Sequence, residues 1–109
     1  MFAVAVLPKP YNTLDLQSGQ SVTVQVERIE LGDLRTDDTA KQPNRLWPMA
    51  RLFGRRVDQD DARRYFDITS RMLLASLIPF LQHAGAYGRR VKITAYGVMY
   101  RKRFTWEAV

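Results

Sequence analysis

Residues 21–31 read SVTVQVERIEL, with Val22, Val24 and Val26 on one parity and Ile29 and Leu31 on the other. Alternation at period two marks a half-buried strand. The slip at Glu27 and Arg28 has the form of a β-bulge, an extra residue that bends a strand and lets it serve two sheet faces. One long, bent strand is predicted here, of the kind a small closed barrel requires.

On the C-terminal side, residues 32–44 (GDLRTDDTAKQPN) lack apolar periodicity and collect turn formers, so they are read as the longest loop. Residues 46–53 (LWPMARLF) recover hydrophobicity as a second strand, with Pro48 confined to a strand edge or first position because it has no amide to donate. Residues 54–64 (GRRVDQDDARR) form a second polar connection, and residues 64–69 (RYFDIT) a short strand.

Thr69 or Ser70 is then placed to cap a helix over RMLLASLIPFLQHA, where Leu74, Leu77, Ile78 and Leu81 recur at helical spacing and Gly85 follows as the C-terminal cap. Pro79 removes the amide that would bond to the Ala75 carbonyl, which predicts a kink or a split. Beyond Gly88, Val91, Ile93 and Ala95 share one parity and Tyr100, Phe104, Trp106 and Ala108 the other. Two final strands follow, with a bulge expected at Gly97 and a reversal over residues 100–103.

The chain is therefore read as mainly β with one helix, a single domain over residues 1–109 that begins with an apolar, Pro-containing arm at 1–10. The order of elements over residues 20–109, with the bulged first strand at 26–29 and the helix placed just before Gly88-Arg-Arg-Val, resembles the OB-fold. That resemblance implies a five-stranded barrel with its helix between strands three and four, and oligonucleotide binding on strands two and three and the flanking loops.

Charge points the same way. The chain carries 17 Lys and Arg against 11 Asp and Glu, for a net charge of +6. Residues 83–109 hold six of those cations against the single acid Glu107, and interleave them with Tyr87, Tyr96, Tyr100, Phe104 and Trp106. Cations neutralise phosphates while aromatic faces stack on bases, the combination used by single-strand binders. Thirteen of the 17 are Arg, whose planar guanidinium grips phosphate in two-point fashion.

Arg89, Arg90, Lys92, Arg101, Lys102 and Arg103 are the candidate phosphate contacts of the tail, and Tyr96, Tyr100 and Trp106 its candidate stacking faces. A second basic-aromatic group combines Trp47, Arg51, Arg55 and Arg56, with Phe53 nearby expected in the core. The partner implied is single-stranded nucleic acid, DNA favoured over RNA, bound with little sequence preference.

Catalytic chemistry has few residues to run on. There is no cysteine, so neither disulfides nor thiolate metal sites can form. The single histidine, His83, falls where it can interact with helix-terminal carbonyls. Asp58, Asp60 and Asp61 lack the turn glycine and distal Glu of a calcium loop, and Arg55, Arg56, Arg63 and Arg64 lie beside them as ion-pair partners. No glycine-rich phosphate loop occurs. No metal and no cofactor are expected.

The apolar run at residues 2–7 (FAVAVL) has no basic n-region and stops at Pro8. The run at 72–81 is interrupted by Ser76 and Pro79, far short of the roughly 20 residues a spanning helix needs. A cytoplasmic protein without membrane contact is the expectation. The rival reading is a structural or adaptor subunit of a larger assembly, in which residues 2–7 add as an edge strand to another copy and make a homo-oligomer, most simply a dimer.

Overall fold

The computed structural model describes residues 14, 16–35, 46–98 and 101–109, with the backbone alone at 33–35, 46 and 47. Five strands and one helix follow in the order β1 (Ser21–Arg35), β2 (Leu46–Arg56), β3 (Tyr65–Ile68), α1 (Arg71–Ala84), β4 (Arg90–Tyr96) and β5 (Arg103–Ala108). The strands form one antiparallel sheet in the order β3-β2-β1-β4-β5.

The bulge lies where the alternation breaks. Val26 faces Gly54 and Arg28 faces Phe53, leaving Glu27 without a partner on β2. Before the bulge Val22, Val24 and Val26 point into the core; after it Ile29 does, opposite buried Leu52. One strand thereby pairs with β4 through residues 21–25 and with β2 through residues 24–35. The core is completed by Ala50, Leu52, Phe66, Ile68, Val91, Ile93 and Ala95 from the sheet and Leu73, Leu77, Ile78 and Leu81 from the helix.

Gly54 is what lets β2 approach the bend. A Cβ at this position would overlap the Gln25 carbonyl oxygen and lie 3.1 Å from a Val24 side-chain carbon, and the clash with backbone cannot be relieved by a rotamer change. Gly54→Ala is expected to destabilise the fold by about 1–3 kcal/mol, the usual cost of overpacking. A thermal melt followed by circular dichroism checks it, and an unshifted midpoint would mean that the strands part freely here.

Helix α1 begins at Ser70, whose hydroxyl accepts from the Leu73 amide (3.4 Å), and ends at Gly85 with φ of +88°. Of the kink or split expected at Pro79, the split does not occur: the helix is continuous from Arg71 to Ala84. Both Pro79 and Ala75 are exposed, so the carbonyl that loses its amide partner has access to water.

Other boundaries also differ from expectation. Residues 32–35, read as loop, continue β1 as the partners of residues 46–49, and residues 54–56, read as connection, continue β2. Gly97 is no bulge; it follows the end of β4 with φ of +80°, and its amide donates to Ser18 Oγ (3.0 Å). The sheet is open, because β3 and β5 are its two edges and do not pair. Residues of both edges nevertheless line a common cavity of about 60 Å³, Asp67 and Ile68 from β3 and Phe104 from β5, with Ser70 and Leu73 of the helix start beside them. Among the described residues no helix is long and apolar enough to cross a membrane. The arm at 1–10, proposed above as a dimer contact, lies outside the described residues.

Candidate nucleic-acid interface

Cross-strand partners in an antiparallel sheet sit side by side on one face, so the register names the neighbours. On the face away from the core the first row is Arg28 of β1, Phe53 of β2 and Tyr65 of β3. The Arg28 guanidinium lies 3.7 Å from the Phe53 ring centroid, while Phe53 and Tyr65 meet at 5.9 Å between centroids with a 48° tilt. Arg28 also pairs with Glu30. The result is a two-ring platform with a cation resting on it.

The second row, one step along, is Arg55 of β2, Gln25 of β1 and Arg90 of β4, with the Arg90 guanidinium 3.5 Å from Gln25 Oε1. Lys92 continues on the same face of β4 between Thr23 and Glu107. Among the described residues Arg55, Arg90 and Lys92 have no carboxylate oxygen within 4 Å. Cations without a carboxylate partner, set beside half-buried aromatic rings, can take up a negatively charged strand without first breaking an ion pair.

Two expected contacts have other work. Arg51 donates to both oxygens of Asp67 (2.8 and 3.3 Å), and Asp67 is only 2% exposed. That hydrogen bond holds the Arg51 guanidinium above its ordinary pKa against the opposing effect of burial. The Arg51 guanidinium also lies over the Tyr65 ring, 4.2 Å from its centroid.

Arg56, with a side chain 12% exposed, donates to Asp58 (2.7 and 3.0 Å) and to the Ser21 carbonyl and lies 3.9 Å from Asp61. The Asp61 carboxyl is pulled down to about 2, chiefly by hydrogen bonds from the Arg63 guanidinium, with burial acting against them. At Asp58 burial pushes the pKa up but is outweighed by Arg56 and the Thr23 amide, so it too lies below the usual range. Arg51 and Arg56 therefore tie the fold together and are not open phosphate contacts.

Comparison with protein-family profiles, with curated proteins and with solved structures found no match.

The remaining expected residues divide along the chain. Trp106 is half-buried and turned to the helix: its ring packs on Phe80 at 5.0 Å and its Nε1–H donates to Ser76 Oγ (2.9 Å). Arg89 donates to the Ala84 carbonyl (3.1 Å) at the helix end. Tyr96, 50% exposed, ends β4 opposite Arg103, with exposed Arg101 and half-buried Lys102 preceding β5. Tyr100 and the side chain of Trp47 lie outside the described residues.

Phe53, expected in the core, is on the outer face, because its inward neighbours Leu52 and Gly54 occupy the core side of β2. Arg28 and Tyr65 were not among the expected site residues. Their signal was present in the parity: Arg28 follows the bulge out of phase with Ile29, and Tyr65 precedes Phe66 and alternates with it and Ile68. Among the described residues no three His, Asp or Glu side chains gather to hold a metal ion.

Proposed function

We propose that this chain binds single-stranded nucleic acid without catalysing a reaction, and that its sheet is an OB-like barrel left open between β3 and β5. The observation that carries the reading is the Arg28-Phe53-Tyr65 platform running directly into the Arg55-Gln25-Arg90 row on one solvent-facing side of the sheet. An aromatic surface accepts base faces irrespective of sequence, and guanidinium groups beside it accept the backbone. In support of the barrel stand the strand order, a central β1 bulged between its two partners, and a helix between β3 and β4 whose start lies beside the cavity shared by the sheet's edges.

Binding of this kind is driven by counterion release, so affinity falls with salt by about 0.7 log unit per log unit for each phosphate neutralised on a single strand. Anisotropy of a labelled oligo-dT across a salt series measures that slope. The triple replacement Arg55→Ala, Arg90→Ala, Lys92→Ala is expected to lower it by about 2, three contacts at about 0.7 each. An oligo-U arm tells DNA from RNA, and a duplex arm tests the preference for unpaired bases. Affinity indifferent to salt, or equal for duplex and single strand, would overturn the proposal.

A further inference from the structure

The residue that the bulge leaves over, Glu27, lines an open cleft of about 430 Å³ together with Gln25, Val26, Arg55, Tyr87 and Gly88. The volume is within the range of small-ligand sites. Tyr87 is 86% exposed, so its ring is left in water with a face to offer. The backbone behind it is fixed: the Gly88 amide donates to the Val26 carbonyl (2.7 Å) and the Val26 amide to the Arg89 carbonyl (2.6 Å). Among the described residues no Lys or Arg nitrogen comes within 4 Å of the exposed Glu27 carboxylate, in a chain of net charge +6. Bulges commonly re-aim a side chain beside a binding site.

We infer that this cleft holds one base of the bound strand and prefers guanine. The inference rests on the nucleic-acid reading above. Three functions meet in the cleft: a stacking ring in Tyr87, a phosphate partner in Arg55, and a pure acceptor in Glu27.

A carboxylate offers two adjacent acceptor oxygens. The Watson-Crick edge of guanine alone presents two adjacent donors, N1–H and the N2 amino group. Adenine and cytosine set one amino donor beside a ring acceptor, and thymine sets one N–H between two carbonyl oxygens that a carboxylate repels. Unpaired bases are read on this edge. Gln25, whose Oε1 is turned to Arg90, keeps its amide donors for the guanine O6.

The test is an anisotropy competition with unlabelled oligo-dT and with the same oligomer carrying one central dG, dA or dC. The dG oligomer is expected to compete about tenfold better than oligo-dT, the scale of one good two-point base contact. In Glu27→Gln, an exposed position that the core does not use, the dG preference should collapse to within about twofold while oligo-dT binding is kept or strengthened by loss of a negative charge. Oligo-dT binding without any dG preference, or a dG preference that Glu27→Gln leaves intact, overturns the guanine cleft and leaves the nucleic-acid reading standing. No binding of any oligomer overturns that reading itself.

Discussion

Asp67→Ala is expected to destabilise the protein by about 3 kcal/mol, the lower end of the cost of removing one partner of a buried ion pair. Asp67 lies on the four-residue edge strand β3 with its carboxylate wholly buried, and its charge is answered by the two-point hydrogen bond from Arg51 on the neighbouring strand. Without it the Arg51 guanidinium loses its acceptor in a site where its side chain is only 16% exposed. That residual exposure gives it a partial route to water and keeps the cost from the upper end. In a domain of this size about 3 kcal/mol corresponds to a midpoint lowered by more than 10 °C. Asp60→Ala, at an exposed loop position, serves as the control and should stay within about 0.5 kcal/mol of the parent in urea denaturation. Equal midpoints for the two variants would show that the Arg51-Asp67 pair contributes nothing.

The second large effect is on binding. Replacing Phe53 and Tyr65 together by alanine should weaken oligo-dT binding by roughly 100-fold to 1000-fold, since base-aromatic stacking is worth about 1–3 kcal/mol per base. The salt slope should stay where it is, because neither ring carries charge, and this separates the platform from the Arg55-Gln25-Arg90 row. Tyr65→Phe keeps the ring and should keep the affinity. A melt of the double variant is needed beside the titration, because Tyr65 also lies under the Arg51 guanidinium. If the folded double variant bound oligo-dT as tightly as the parent, the outer face of β2 and β3 would not be where bases stack.

Features set by neighbours in the chain could be read from it. The valines at 22, 24 and 26 and the slip at Glu27 and Arg28 predicted the bent strand, and Thr69 or Ser70 with Gly85 predicted the helix ends, Ser70 being the cap that forms; each depends only on residues close by. Features set by a distant partner could not. Residues 32–35 carry no apolar alternation, yet their backbone pairs with residues 46–49, which asks nothing of the side chains. Trp47, Arg51 and Phe53 share a parity, but which side faces the core depends on the opposing strands, and Arg51 is neutralised by an Asp 16 residues away. Trp106 is drawn inward by Phe80 and Ser76 of the helix, a contact that no spacing within β5 encodes.

The basic tail also proved to be less of a unit than its sequence suggested. Arg90 begins β4, whereas Arg103 sits opposite Tyr96 at the far end of that strand. With a rise of about 3.4 Å per residue, the two ends are roughly 20 Å apart. Contiguous charge in the chain was divided between two places on the surface, and the half at Arg90 met the aromatics of β2 and β3 through Gln25.

Within the sheet, strand β1 is the suture between two hairpin-like lobes, β2 with β3 on one side and β4 with β5 on the other, and α1 packs against both from the core side. A strand of nucleic acid laid over Arg55, Gln25 and Arg90 crosses that suture and fastens the lobes a second time from outside. Occupancy would then brace the sheet from the face that α1 leaves uncovered.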